Sequence, residues 1–388
     1  MKSASVSICA VLVLAFGCGD SNYSGTAATP TPKATPASVT VNPGESIQAA
    51  VDAAAPGATI TVMPGDYTET HSGTAAIRVT KPLTLLAKSD LPGVKVRILP
   101  SPGQKHGILV EPANEGDPDI DGLEINGFTV EGFSNIGIWL RHVNNFNIEN
   151  NESINNLENG IWPTLSANGQ VKKNGSYGSQ DAALWVEASE NVRVVNNELH
   201  NSPTGLEITV SKEITVESND IHDNTIGIGL YHPATAGLPP LQPLSDNGYW
   251  HILSNYVHDN NSPNTASEGS ETSQLPYGGG ILVLGVDHVD IQRNQIENND
   301  FFGIAMIDYC LAVDGTSFDC RQNPPQVRDT SPDFNQFISN TVTNNATNPP
   351  PGPFQSSAAD MLGIGGMNNC ASGNIFGTMA FLPELPPC

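Results

Sequence analysis

"ENVRVVNNELHNSPTGLEIT" at residues 190–209 and "KEITVESNDIHDNTIGIGLY" at residues 212–231 are two copies of one pattern. Each copy holds three short alternating apolar stretches, broken by Asn, Asp and Gly turns. Neither shows a helical period, and each is too short for a strand–helix–strand unit. A unit this small cannot bury its apolar side alone, so it must stack on further copies of itself. Coils of three short strands, stacked ~4.8 Å apart as hydrogen-bonded strands are, meet that need. The pattern predicts an all-β chain: a single parallel β-helix, or solenoid.

Working outward, the pattern aligns on the small residue before an apolar pair. It recurs at Gly137, Gly160, Ala183, Gly205, Gly227, Gly280 and Gly303, in steps of 23, 23, 22, 22, 53 and 23 residues. The stretch 164–182 fills a period while carrying little of the pattern, and "FNQFISNTVTNN" at 334–345 is a weaker copy. Asn at the corners tolerates left-handed backbone, and its amide can bond to the same amide one coil on. About ten or eleven coils are expected from the length of the patterned region. "ESIQAAVDAAAPG" (45–57) places Ile47, Ala50, Val51 and Ala54 at helical spacing, with Pro56-Gly57 as the stop, and predicts a short N-terminal capping helix. Such a cap would cover strand edges that an open solenoid exposes.

Columns set the orientation of each side chain. The residue after the aligned small one is apolar throughout, from Ile138 to Ile304, and so is the residue two further on, from Leu140 to Met306. Both columns face the interior. The column between them reads Trp139, Trp162, Trp185, Glu207, Gly229, Leu282, Ala305. A column of this mixed character points outward by strand alternation. Trp250 falls instead in the column of Phe146, Val192, Ile214 and Val289, which reads as core. Three outward Trp rings one coil apart would suit the apolar faces of sugar rings, or would form a satellite core beneath a covering loop.

"ATITVMPGDYTE" (58–69) resembles the opening of the pectate-lyase-like superfamily of right-handed parallel β-helices, with its strand ending "V-x-P-G-x-Y". The repeats resemble the carbohydrate-active β-helix repeat class, "x-I-x-N-N-x-I-x-x-N-x-x-G-I". The resemblance covers about residues 40–375. It implies a right-handed solenoid. It leaves activity open, because the class includes lyases, hydrolases, epimerases and binding or assembly proteins. The polygalacturonase set "N-T-D", "D-D", "G-H-G", "R-I-K" does not occur, and "DPDID" at 117–121 lacks the His of the mannuronan-epimerase "D-P-H-D". "VDHVD" at 286–290 is the turn and strand entry of another repeat rather than a lyase signature.

The N-terminus reads as a processing signal. Lys2 precedes the apolar run "ICAVLVLAFG", and "AFGC" resembles a bacterial lipoprotein signal with Cys18 as the lipidated residue. The expected organisation is a signal peptide at 1–17, a Thr/Pro-rich tether at 18–38 and the β-helix at 39–388. Export to a cell envelope or beyond fits the remaining cysteines. Cys310, Cys320, Cys370 and Cys388 allow three pairings, of which Cys310–Cys320 within one loop and Cys370–Cys388 pinning the tail are favoured. The net charge of −24 argues against nucleic acid and anionic membranes as partners, and against a polyanionic sugar unless divalent cations intervene. A membrane is then met only through the lipid anchor, and the protein is expected to be a monomer.

Candidate chemistry adjoins the Trp column. The next outward column runs Arg141, Thr164, Glu187, Thr209, Tyr231, Leu284, Ile307. Glu187 and Glu207 are diagonal neighbours ~7–8 Å apart by sheet geometry. They could act as acid and base, or hold Ca²⁺ with Asp181. Arg141 could neutralise a uronate carboxylate and Tyr231 pass a proton. The leading expectation is an exported protein that binds or processes extracellular polysaccharide, by uronate lyase or epimerase chemistry if it is an enzyme. A non-catalytic surface scaffold is the alternative. A column of Asn155, His200, His222, His258, Glu297 and Thr343 raises periplasmic metal handling as a third reading. Insertions at 233–248, 262–277, 309–332 and 346–359 are where a solenoid would build a site.

Overall fold

The computed structural model describes residues 38–88, 93–231, 248–270, 272–315, 319–322, 324, 329–352, 355–382 and 385–388. Residues 36–388 form one compact unit. The expected leader, Cys18 and all of the expected tether but Ser38 lie outside the described residues. Ser38 opens the first strand, Ser38–Val41, and pairs with Thr59.

Among the described residues the strands form three parallel sheets, and every coil gives one strand to each. Sheet 1 runs over 12 strands from Ser38–Val41 to Cys370–Ser372. Sheet 2 runs over 11 strands from Gly65–Thr68 to Ile375–Phe376. Sheet 3, also of 11 strands, runs from Ala75–Val79 to Met379–Leu382 and carries the Trp column. The stretch 164–182, patternless in sequence, is a regular coil with strands Ala167–Lys172 and Gly175–Tyr177. Inward columns from all three sheets merge into one core that extends from Val41 to Met361.

Helix α1 spans Ile47–Ala53, with Ser46 as its N-cap. Glu69 completes the cap by accepting from the Ile47 and Gln48 N–H groups at 2.7 and 3.2 Å. Ile47 and Val51 enter the core, as the spacing predicts.

The recurring Asn dipeptides divide their labour. The first residue takes the left-handed conformation, as Asn150, Asn155 and Asn196 do. The second, or a lone Asn at the same corner of other coils, turns inward and joins a ladder. Asn151, Asn174, Asn197, Asn219, Asn255, Asn294, Asn340 and Asn374 pass amide hydrogen bonds from coil to coil at 2.9–3.0 Å. Asn224, Asn260, Asn299 and Asn345 form a second ladder that ends on Asp360. A third corner breaks the Asn habit. Tyr249, His288 and Phe334 adopt φ of 56°, 55° and 57° in successive coils and stack 4.8 and 5.0 Å apart.

Beside that stack, Asp287 accepts the Asp333 N–H at 2.7 Å. Burial pushes its carboxyl up to about 6 from an ordinary 3.8; the charges of Asp333 and Asp329 add to the rise, and the Asp333 N–H and His288 oppose it. The folded state therefore holds this proton more tightly than the unfolded chain. Its stabilising contribution is full below pH 3.8 and is lost as pH rises through about 6. Asp287→Asn keeps the accepting oxygen and removes the titration. Relative to wild type, the variant should melt higher at pH 7 than at pH 4; equal offsets at both pH values would exclude the effect.

Both favoured disulfides are present, Cys310–Cys320 and Cys370–Cys388.

Candidate functional site

Sheet 3 places the outward columns in the predicted register. Trp139 pairs with Trp162, Trp185 with Glu207, Glu207 with Gly229, and Gly229 with Leu282. Arg141 pairs with Thr164, Thr164 with Glu187, Glu187 with Thr209, and Thr209 with Tyr231.

The three indoles are half-buried and stack on one another. Trp139 and Trp162 lie 5.1 Å apart at 8°, and Trp162 and Trp185 lie 4.6 Å apart at 5°. Stacking consumes ring faces, so both faces of Trp162 are covered by its neighbours. His106 tilts against Trp139 at 5.1 Å, and the Arg141 guanidinium sits 5.1 Å from the Trp139 ring centre, closing that end. The ladder therefore turns one open face, that of Trp185, toward the coil of Glu207. The Trp185 indole N–H donates to Thr209 Oγ1 at 2.8 Å, which fixes the ring.

That face opens into a cleft of about 650 Å³. Its floor is Trp185, Glu207, Thr209 and Tyr231. Leu157, Glu158 and Asp181 also line it, together with Thr272, Gln274 and Leu275 from the 262–277 insertion. Thr272 donates its hydroxyl to Asp181, tying the insertion across three rungs of the sheet. Asn264 braces the insertion from within by donating to the Thr272 and Leu275 carbonyls at 2.8 and 3.0 Å. Gly229 gives the phenol its place: a Cβ there would lie 2.3 Å from Tyr231 Cζ and Oη, so the Tyr231 ring fills the gap one rung from Glu207.

Beyond Tyr231 the same face becomes apolar. Leu282, Leu284, Phe301, Phe302, Ile307 and Leu362 form a second cluster and also line the far part of the cleft. Helix α2, Tyr309–Ala312, and Leu275 pack on it. A satellite core of the kind weighed for the tryptophans under a covering loop thus forms instead on the later coils.

Electrostatically the site is acidic. Burial pushes the Glu187 carboxyl up; hydrogen bonds from Thr164 and Trp162 oppose this, and the Asp181 charge adds to it. Burial likewise raises Asp181 against its Thr272 hydrogen bond. Burial and the Asp181 charge raise Glu158, a residue that sequence reasoning missed because it falls in an irregular turn. Glu187 is buried behind the floor, with Oε2 accepting from Thr164 Oγ1 at 2.8 Å. Arg141 lies outside the cleft, paired with Glu111 at 3.2 Å; Arg78 holds the other oxygen of Glu111 at 3.0 Å.

Among the described residues, no group of three His, Cys, Asp or Glu side chains is arranged to hold a metal ion, either around Asp181, Glu187 and Glu207 or along the His column. That column is a stack on sheet 2. Tyr177, His200, His222 and His258 follow one another at 4.5, 5.0 and 5.1 Å. His222 and His258 are engaged by Asp223 and Asp259 at 2.8 and 2.7 Å. The register corrects one member. Ile154, not Asn155, pairs with Tyr177 and so precedes His200; Asn155 is the left-handed corner at φ 52°.

The chain has a parallel β-helix fold, and residues 106–238 match the family described as "Right handed beta helix region". In structure it is similar to the A-module of the mannuronan C-5 epimerase AlgE4 of Azotobacter vinelandii, at 14% identity over 84% of this chain and 82% of that one, with a TM-score of 0.62. It is also similar to ORF18 of Geobacillus virus E2, at 10% identity over 86% of this chain and 61% of that one, with a TM-score of 0.53. At these identities the likeness is one of fold. No curated protein matches the sequence.

Proposed function

We propose that this protein is an exported β-helix that binds a polysaccharide across the outer face of sheet 3 and acts on it in the cleft. One observation carries the reading: the single open face of the Trp ladder ends at the mouth of a cleft floored by Glu207, Thr209 and Tyr231. An aromatic face beside convergent hydroxyl and carboxylate groups suits a sugar ring, which has an apolar face and a polar rim. The similarity in fold to an epimerase module acting on mannuronan is compatible with it. Export draws support from the two disulfides. In this reading α1 caps the solenoid, 1–17 is the signal, Cys18 the lipidated residue and 18–38 the tether.

If the protein is an enzyme on uronates, Glu207 and Tyr231 stand where they can reach a sugar. Arg141 would have to leave Glu111, and Glu187 would act from behind Thr164. Glu187 is better placed to set the charge of the floor than to touch substrate.

The test is direct binding to soluble oligosaccharides by titration calorimetry. Trp185→Ala should weaken the best ligand at least about tenfold, a change of about 1.4 kcal/mol. Tyr249→Ala, on a different corner, should leave it unchanged. A folded Trp185→Ala protein with wild-type affinity, or a wild-type protein that binds no glycan, overturns the reading.

A further inference from the structure

We infer that the cleft takes an uncharged sugar unit, so that the ligand is a neutral polysaccharide rather than a polyuronate. The inference rests on the function proposed above and narrows its substrate.

The first observation is the sign of the charge that lines the cleft. Glu158, Asp181 and Glu207 line it, the buried Glu187 pairs in register with its Thr209, and none of the described lining residues is Lys, Arg or His. A uronate carboxylate resting on Trp185 would meet this group with no cation opposite it. Like charges brought together in a partly dehydrated site select strongly against a partner.

The second observation is where the nearby cations are. Arg141 and Arg78 are both spent on Glu111, at the closed end of the Trp ladder, and Arg141 is further held over the Trp139 ring. The segment 232–247, which follows Tyr231 directly, contains no Lys or Arg and one His, His232. Beyond residue 37, the residues outside the described set contain one, Arg328. No three carboxylates converge among the described residues to hold a cation of their own, and the Ca²⁺ arm of the experiment below tests a cation bridged by the uronate.

The third observation is what the cleft offers instead. Within a mostly apolar lining that includes Leu282, Phe302 and Ile307, Thr209, Gln180 and Gln274 offer neutral polar groups together with Glu207 and Tyr231. Hydroxyl, amide and carboxylate groups pair with the vicinal hydroxyls of a neutral sugar, and carboxylates are strong acceptors for them. The raised carboxyls of Glu158, Asp181 and Glu187 agree, because each already resists its own charge at this place.

The experiment compares matched-length neutral gluco-, manno- and galacto-oligosaccharides with oligomannuronate, oligoguluronate and oligogalacturonate. Each is titrated against the full-length protein at neutral pH, once with EDTA and once with Ca²⁺. At least one neutral oligosaccharide should bind at least about tenfold more tightly than every uronate. Glu207→Gln should narrow that ratio by strengthening uronate binding. A uronate that binds as tightly as the best neutral ligand, with or without Ca²⁺, overturns the inference and leaves polysaccharide binding standing. Uronate binding lost in Arg328→Ala would do the same and would locate the missing cation. Absence of binding to any glycan removes the proposed function as well.

Discussion

Trp250→Ala should melt on the order of 5–10 °C below wild type, because emptying the site of a buried Trp costs about 3–5 kcal/mol and each kcal/mol moves a large domain by about 2 °C. Trp250 is fully buried, and it is the largest of the wholly buried side chains. It opens the strand Trp250–Leu253, which lies within the widest step of the repeat, between Gly227 and Gly280. Its indole N–H donates to the Ser211 carbonyl at 2.8 Å, so truncation leaves a cavity and also strips a buried acceptor of its partner. The column of Val192, Ile214 and Val289 around it is wholly buried and cannot close over the void without moving the coils. Circular dichroism melting measures the effect. A midpoint within a degree of wild type would mean that the coil at Trp250 contributes little to the core.

Asn219→Leu should be similarly costly while keeping the number and branching of side-chain heavy atoms and leaving no cavity. Asn219 Oδ1 accepts both from the Asn197 N–H and from Asn197 Nδ2, each at 2.9 Å. Its own Nδ2 donates to the Val194 carbonyl and to Asn255 Oδ1, each at 2.9 Å. Leucine leaves two donors and one acceptor unmatched in a buried corner. At about 1–3 kcal/mol for each group, the loss is about 3–9 kcal/mol. Hydrogen exchange should show the amides of coils on both sides of residue 219 losing protection together. Loss confined to residue 219 would show that the ladder does not couple coils.

The fold was legible because it obeys a period. Gly205 and Gly227 sit 22 residues apart, and every column counted from them lands in register on sheet 3. The disulfides were legible for a similar reason: each joins cysteines close along the chain, within one loop or at the tail. The site was half legible. Alternation gives the direction of Trp185 and Glu207, yet it is blind to what rings do once they stand in line. Three tryptophans spaced by a strand repeat stack face to face, and only the last keeps a surface to offer. The insertion's share of the cleft lining was not legible at all. Thr272 meets Asp181 across 91 residues of sequence, through an insertion with no period to read. Glu158 and Asn155 show the same limit, for both lie in turns where a shift of one residue moves a side chain to another face.

The tie between Thr272 and Asp181 also bears on how the molecule carries load. A stack of coils held only by neighbour contacts peels one turn at a time, like a rope unlaid from its end. The 262–277 insertion fastens the coil of Asp181 to one three rungs away, so the turns between them are bound as a clasped block. Tension applied along the axis is shared by that block rather than by its outermost turn. The stretch of solenoid bearing Trp185, Glu207 and Tyr231 is the part reinforced, and the fastening is independent of either disulfide.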